Sequence, residues 1–267
     1  YAAEMVTYLR RKGYDLPPTV FIGTDYTCTP FTMETQCDKY VIPAEDLCDD
    51  YIKQGATREQ LSPYGIPVSR VFEPEETDIA ALRGQLGLHP DKQCVLATGG
   101  SMGAGNMKRL TAKLIRYGKE NSDTQFVIIC GTNKKLQKAL TDKTAGNDQF
   151  SIIGFTDRMN DYMAAADVFI TKPGGLSSTE AAVTGLPMIH MSSIPGCETK
   201  NLRYFESRGM SLPLKHISIE KALDRLKNKQ ERTNMINNQR RYVSSSVCRI
   251  CDLLEQMAEK SDKDKKV

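Results

Sequence analysis

Two glycine-rich runs in this sequence have the composition of phosphate-binding turns. The first, G-G-S-M-G-A-G, occupies residues 99–105 and stands between an apolar run and a helical pattern. At such a strand-to-helix junction, backbone N–H groups and the helix dipole attract phosphate. The glycine spacing is not G-x-G-x-x-G, and Asn106 and Met107 stand where a P-loop has Lys and Ser or Thr, so neither common nucleotide class is indicated. Taken alone, the run fits a structural turn equally well.

The second run, T-K-P-G-G-L-S-S-T-E at residues 171–180, also follows an apolar segment and opens a helical pattern. Gly174 and Gly175 allow the backbone to approach a ligand closely. The next three side chains are expected to cap the helix and to donate to phosphate oxygens: Ser177, Ser178 and Thr179. Glu180, in the first turn of that helix, could accept hydrogen bonds from a ribose diol, or it could serve only the helix dipole. If the two preceding strands are adjacent in one parallel sheet, both turns face the same crevice.

Two weaker candidates follow other strand-like segments. Phe155, after Gly154, could stack on a base, although an aromatic residue at a strand end is more often part of the core. Glu198 and Asn201 are three residues apart in a polar loop that opens a helix, so both would lie on one helix face. They could hydrogen-bond sugar hydroxyls, or the loop could serve only to cap the helix.

The cysteines indicate neither a metal site nor a disulfide framework. Cys248 and Cys251 form a single C-x-x-C, without the second pair or the suitably spaced histidines that zinc needs, and we expect both to be buried helix residues. Eight irregularly spaced cysteines in a chain of 267 residues, with no secretory signal at its start, favour reduced thiols and a cytoplasmic location.

Composition and charge are those of an ordinary globular protein. Lys and Arg number 36 against 33 Asp and Glu, and this excess of +3 is too small to indicate nucleic-acid binding. The densest apolar runs are far shorter than the ~18–20 residues of a membrane span.

The elements that must position these turns alternate between strand and helix. Strands are predicted at residues 19–23 and 39–42, an extended piece at 64–68, and further strands at 93–98, 125–130, 150–153, 168–171, 187–191 and 210–213. Helices are predicted between the later strands, the first of them at 105–118, and again from 218 to about 260, so the fold class is α/β with a parallel sheet. An acidic, proline-containing stretch at 72–76 indicates an interdomain boundary. We expect a partial α/β domain at 1–73, a Rossmann-like domain at 74–245, and a carboxyl-terminal helix with a charged tail at 246–267.

The order and spacing of four motifs resemble the carboxyl half of family 28 glycosyltransferases. The motifs are G-G-S-M-G-A-G, G-F-T-D, K-P-G-G-L-S-S-T-E-A and P-G-C-E-T-K-N, and the diacylglycerol branch of the family is the most similar. The resemblance extends into the amino-terminal segment, from G-T-D-Y at residue 23 to Y-G-I-P-V at residue 64. It implies a two-domain GT-B fold and an inverting, metal-independent transferase that needs no cofactor besides its donor substrate.

The resemblance also implies a set of donor-binding residues. The full set is Gly100, Ser101, Met102, Gly103, Gly154, Phe155, Pro173, Gly174, Gly175, Leu176, Ser177, Ser178, Glu180, Glu198, Asn201 and Arg70. The two glycine turns would hold the diphosphate of a UDP-sugar, Phe155 the uracil, Glu180 the ribose, and Glu198 with Asn201 the sugar. Arg70 departs from the family pattern, because G-I-P-V-S-R places it one residue later than the arginine of G-x-P-V-R.

The catalytic base is not identified in this sequence. The family's early glycine-rich loop, with a neighbouring histidine and a proposed carboxylate base, has no counterpart among these residues, so we expect this chain alone to be inactive. Asp25 is the acceptor-side carboxylate to examine.

The resemblance implies transfer of galactose or glucose from a UDP-sugar to diacylglycerol, or to a glycosylated diacylglycerol, in glycolipid synthesis. Membrane contact would be peripheral, at the inner face of the cell membrane. Two alternatives stay open: a UDP-N-acetylglucosamine-dependent transferase acting on an undecaprenyl-linked muropeptide, and a nucleotide-binding module without turnover. An oxidoreductase is disfavoured by the glycine spacing.

Overall fold

The computed structural model describes residues 2–103 and 106–264, so Ala104 and Gly105 of the first glycine run lie outside the described residues. The chain divides into two compact units, unit 1 comprising residues 1–70 and 242–267 and unit 2 comprising residues 71–241. The described strands are β1 (Val20–Ile22), β2 (Lys39–Val41), β3 (Leu61–Ser62), β4 (Gln93–Thr98), β5 (Thr124–Ile129), β6 (Phe150–Ile153), β7 (Val168–Thr171), β8 (Met188–His190) and β9 (Ser211–Pro213). The described α-helices are α1 (Ala2–Arg11), α2 (Cys48–Ile52), α3 (Ile79–Gln85), α4 (Met107–Glu120), α5 (Lys134–Thr144), α6 (Met159–Ala165), α7 (Gly175–Thr184), α8 (Cys197–Ser207), α9 (Ile219–Lys227), α10 (Lys229–Tyr242) and α11 (Val247–Asp264).

Unit 1 contains a small parallel sheet with the strand order β1-β2-β3. The last helix, α11, belongs to this unit and packs Ile250 and Leu253 against Val41 of the sheet. The extended piece predicted at 64–68 does not form a strand, and the short strand lies just before it. It ends at Ser62 because Pro63, which follows, has no N–H to donate to a neighbouring strand.

Unit 2 contains a six-stranded parallel sheet with the order β6-β5-β4-β7-β8-β9. Strands β4, β5 and β7 are largely apolar and buried because helices cover the sheet, as the sequence predicts for a parallel α/β domain. One core lies between the sheet and α4, α5 and α9, and it includes Leu114, Ile170 and Leu223, which are fully buried. The strand order reverses direction between β4 and β7, and such a switch point creates a crevice at the carboxyl ends of the strands.

Two features differ from the sequence prediction. Helix α3 was not predicted, and it carries a buried arginine, Arg83, whose guanidinium donates to the carbonyl of Ala165 and pairs with Asp167. The prediction of buried cysteines at the C-x-x-C was wrong, since Cys248 and Cys251 lie on α11 but are exposed. All eight cysteines are free thiols.

Candidate functional site

The two glycine turns leave the sheet of unit 2 side by side. Strands β4 and β7 are neighbours, and Thr98 at the end of one is the register partner of Thr171 at the end of the other. The two strands are therefore adjacent, which is the condition under which both turns face the same crevice. Both turns lie at the switch point, which is where ligands bind in open α/β sheets.

The first turn is held by the loop between β5 and α5. The N–H of Thr132 donates to the carbonyl oxygen of Ser101 at 2.8 Å, and within the turn the N–H of Gly103 donates to Gly100 at 2.9 Å. Gly131 has a φ of +59°, and a β-carbon there would lie only 2.1 Å from the carbonyl oxygen of Ser101. Sequence reasoning missed Gly131. The signal was present, because it follows an apolar run and precedes a helical pattern, as the recognised glycines do.

The second turn presents the start of α7 to the crevice. Gly174 is the N-cap residue, and as a glycine it has no side chain with which to cap the first turn of this helix. No described heavy atom lies within 4 Å of the position that a β-carbon on Gly174 would occupy. The first N–H groups of an α-helix have no acceptor within the helix, and the positive end of the helix dipole lies behind them, so this open end of α7 suits an anion.

The prediction that hydroxyl side chains cap α7 was wrong for two residues. Ser178 and Thr179 are fully buried. Ser178 Oγ lies 3.0 Å from His190 Nε2, and Thr179 Oγ1 donates to the carbonyl oxygen of Gly175 at 2.7 Å. Because the helix begins at Gly175, Ser178 is its fourth residue and Thr179 its fifth, past the positions that cap the helix, and both side chains lie in the protein interior.

Glu180 lies beyond the first turn of α7, contrary to the sequence prediction, because the first turn contains no acidic residue. Its side chain is half-buried, and burial raises the pKa of its carboxyl above the usual value. A partly buried carboxylate is a stronger hydrogen-bond acceptor than one in open water, which suits a neutral diol as its partner.

Phe155 lies at the far end of this edge of the sheet. It follows β6 and is 70% exposed. The alternative that this aromatic residue belongs to the core is therefore excluded. Strands in a sheet lie ~4.8 Å apart, so the end of β6 lies roughly 10 Å from the end of β4. An exposed aromatic side chain at this distance from the turns is suited to the base of a nucleotide whose phosphates lie between β4 and β7. Met102 and Leu176, in the two turns, are also exposed.

The loop before α8 contacts the second turn. Lys172 Nζ lies 2.9 Å from Glu198 Oε1, and the N–H of Ile194 donates to Glu198 Oε2 at 3.0 Å. Asn201 is fully buried, and its Nδ2 donates to the carbonyl oxygen of Pro173 at 3.1 Å. Glu198 and Asn201 thus contact the same turn, as the shared helix face suggested, and both bind groups of the protein itself.

The two remaining candidates belong to unit 1. Arg70 Nη2 lies 3.1 Å from Cys248 Sγ. Asp25 is half-buried in the loop after β1, and its carbonyl oxygen accepts from the N–H of Thr27.

Within residues 2–103 and 106–264, no group of three or more His, Cys, Asp or Glu side chains is arranged to hold a metal ion. The same described residues include no helix that is both long and apolar enough to cross a membrane.

A parallel sheet with glycine turns at its switch point defines a Rossmann-like α/β domain, and solved structures place the chain in the GT-B class of these folds. The crystal structure of MurG from Acinetobacter baumannii matches with a TM-score of 0.66 and 17% identity, covering 93% of this chain and 68% of that chain. WaaG, a glycosyltransferase involved in lipopolysaccharide biosynthesis, matches with a TM-score of 0.58 and 16% identity over 91% and 77% of the two chains. Anabaena HepE in complex with UDP-glucose matches with a TM-score of 0.58 and 14% identity over 98% and 75%.

The chain belongs to glycosyltransferase family 28. The family model described as glycosyltransferase family 28 C-terminal domain matches residues 94–247, and the model described as monogalactosyldiacylglycerol (MGDG) synthase matches residues 1–68. The chain is 30% identical over 252 residues to the processive diacylglycerol beta-glucosyltransferase of Staphylococcus aureus (strain Newman). This alignment covers 91% of this chain and 63% of the relative, so the chain spans less than two thirds of that protein's length.

Proposed function

We propose that this chain carries the donor-binding unit of an inverting glycosyltransferase that transfers a hexose from a UDP-sugar to diacylglycerol. The observation that carries the proposal is the pair of glycine turns at the ends of neighbouring strands β4 and β7, one of them opening helix α7, whose N-cap residue is a glycine. Backbone N–H groups in this arrangement suit a diphosphate. Similarity to the staphylococcal enzyme supports diacylglycerol as the acceptor.

The chemistry is a single displacement at the anomeric carbon. The acceptor oxygen forms a bond to this carbon while the bond to the diphosphate oxygen breaks, and UDP departs with the electron pair. The start of α7 and the first glycine turn stabilise the negative charge that develops on the leaving group, and we propose that no metal is needed.

A base must take the proton of the acceptor hydroxyl. We propose Asp25 as the first carboxylate of this chain to test. His190 is unsuitable for this role, because it is fully buried against Ser178 and burial lowers its pKa to about 3.

Calorimetric titration of the chain tests the donor site. UDP, UDP-glucose, UDP-galactose and UDP-N-acetylglucosamine are compared with NAD, and we expect binding of the UDP compounds only. The ranking of the three sugars distinguishes the diacylglycerol branch from the alternative in which N-acetylglucosamine goes to an undecaprenyl-linked muropeptide. Equal binding of NAD, or no binding of any UDP compound, would contradict the donor site.

Glu180→Gln tests the ribose contact separately. A hydrogen bond to a charged acceptor contributes ~1.5–3 kcal/mol, so the substitution is expected to weaken UDP binding about 10- to 100-fold. With 2′-deoxy-UDP the loss should be much smaller, because half of the diol is already missing. Glu120→Gln, at an exposed position at the end of α4, is the matched control and should leave both affinities unchanged. Equal losses with both nucleotides would exclude a role at the 2′-hydroxyl.

Acceptor choice and location require a transfer assay. We propose peripheral attachment at the inner face of the cell membrane, because diacylglycerol resides in the bilayer. Because we expect this chain alone to be inactive, a longer form of the protein is mixed with radiolabelled UDP-hexose and vesicles that contain diacylglycerol, and co-sedimentation and labelled glycolipid test both points. Binding of UDP without transfer, in this chain and in a longer one, would instead support a nucleotide-binding module.

A further inference from the structure

Lys172 is a cation between the two glycine turns, and neither the sequence motifs nor the family resemblance gave it a role here. It follows β7 directly, and a β-carbon on Gly100 would lie 3.2 Å from Lys172 Cε, so the lysine side chain runs along the first turn. Its side chain is 31% exposed, and that of its partner Glu198 is 16% exposed. The lysine side chain therefore lies at the switch-point crevice, about two thirds removed from water, where the charge of its ammonium is only partly screened.

Glu198 is fixed by the protein through both of its carboxylate oxygens. One accepts from Lys172 Nζ at 2.9 Å and the other from the N–H of Ile194 at 3.0 Å. The residue also lies in the first turn of α8, where the helix dipole stabilises a negative charge. A carboxylate held in this way is suited to orient a lysine. Protein kinases use the same kind of pair, in which a glutamate holds the lysine that binds the nucleotide phosphates.

We propose that Lys172 binds the diphosphate of the donor and that Glu198 is a positioning residue, which orients Lys172 and does not contact the sugar. An ammonium has three donors, so one serves Glu198 and two remain for phosphate oxygens. As the bond to the anomeric carbon breaks, negative charge grows on the diphosphate, and a lysine already oriented stabilises it without reorganisation. This inference rests on the donor-binding function proposed above.

The test compares three ligands of increasing length: uridine, UDP and UDP-glucose. Lys172→Met should weaken UDP and UDP-glucose equally, by about 10- to 100-fold, because a charge-assisted hydrogen bond is lost. Uridine lacks phosphate, so its affinity should not change, and this also shows that the variant is folded. Lys172→Arg keeps the charge and should restore most of the affinity for UDP. Lys200→Met, at an exposed position of α8, is the matched control and should behave as the wild type.

Glu198→Gln separates the two roles of the carboxylate. If it positions Lys172, UDP and UDP-glucose weaken by the same factor, and the Lys172→Met/Glu198→Gln double variant binds no more weakly than Lys172→Met alone. If Glu198 contacts the sugar, only UDP-glucose weakens, and the inference is overturned. Tighter UDP binding would also overturn it, since Glu198 would then compete with the diphosphate. If the wild-type chain binds uridine and UDP with equal affinity, the role of Lys172 is refuted. If it binds neither uridine nor any UDP compound, the proposed donor-binding function itself is refuted.

Discussion

Gly131 supports the first glycine turn through contacts that no other residue type can make. It lies between β5 and α5 with a φ of +59°, and a β-carbon there would lie 2.1 Å from the carbonyl oxygen of Ser101 and 3.0 Å from that of Gly100. Such contacts are essentially never shorter than 3.0 Å, so the Ser101 carbonyl would have to retreat by about 0.9 Å. These are backbone atoms, and no side-chain rotation can relieve the overlap.

Gly131→Ala is therefore expected to cost stability and nucleotide affinity together. The left-handed conformation costs an L-residue ~1–2 kcal/mol. Displacing Ser101 also breaks the hydrogen bond from the N–H of Thr132, which is worth ~1 kcal/mol. The free energy of unfolding should thus fall by ~2–3 kcal/mol, a large share of a typical total. UDP affinity should fall about tenfold or more, because the turn that we propose contacts the phosphates would move by nearly 1 Å.

Gly146→Ala is the matched control for this substitution. Gly146 also has a positive φ, +75°, but no described heavy atom lies within 4 Å of the β-carbon position. The free energy of unfolding of this variant should fall only by the ~1–2 kcal/mol of the left-handed conformation, and its UDP affinity should not change. Urea unfolding and calorimetric titration measure both quantities. If the two variants lose the same stability and both bind UDP as the wild type does, the support of the turn by Gly131 is refuted.

Three further predictions concern stability and reactivity. Arg83→Lys should lower the free energy of unfolding in urea by ~2–4 kcal/mol, because one ammonium cannot replace a guanidinium that donates to three carbonyls and a carboxylate. The control is Arg225→Lys, in an exposed ion pair, which should change this free energy by less than ~1 kcal/mol. Burial lowers the pKa of His190 from 6.5 to about 3, so the unfolded state binds the proton first and stability falls as the pH drops from 6.5 towards 3. This one group contributes up to ~1.4 kcal/mol per pH unit to the fall in the free energy of unfolding, and His190→Gln should remove that contribution. Urea unfolding at pH 7, 6 and 5 measures it, and an equal pH dependence in the wild type and the variant would contradict the prediction. In the folded protein, the exposed Cys248 and Cys251 should react first with a thiol reagent, followed by the half-buried Cys197. Rapid labelling of any of the five buried cysteines would contradict the structure.

The strands of unit 2 could be predicted because each combines an apolar run with flanking helical patterns. Three of them, β4, β6 and β7, have the predicted bounds. Helix α3 was missed because its buried face includes Arg83, and an arginine in a sequence is ordinarily taken as a solvent-exposed residue. Its partners come from distant segments, among them Ala165 and Asp167, and local periodicity contains no information about them.

Strand order could be stated only as a condition, because an alternating pattern does not determine which strands are neighbours. The order β6-β5-β4-β7-β8-β9 places the ends of β4 and β7 together and makes two separate glycine runs into one candidate site. Sequence motifs thus identified which backbone segments approach the crevice. They did not identify Gly131, a single glycine that contacts the turn from another loop, although it too follows an apolar run and precedes a helical pattern.

Side-chain direction at the start of a helix was beyond sequence reasoning for a geometric reason. Each residue of an α-helix turns by ~100°, so an error of one residue in the start redirects every following side chain. With Gly174 as the N-cap, Ser178 points inward to His190, while the backbone N–H groups of the same segment remain at the crevice. Peptide groups keep their direction along the helix axis whichever side chains follow. A candidate site that would hold phosphate through backbone groups can therefore be proposed from its glycines, even where the directions of its side chains are misjudged.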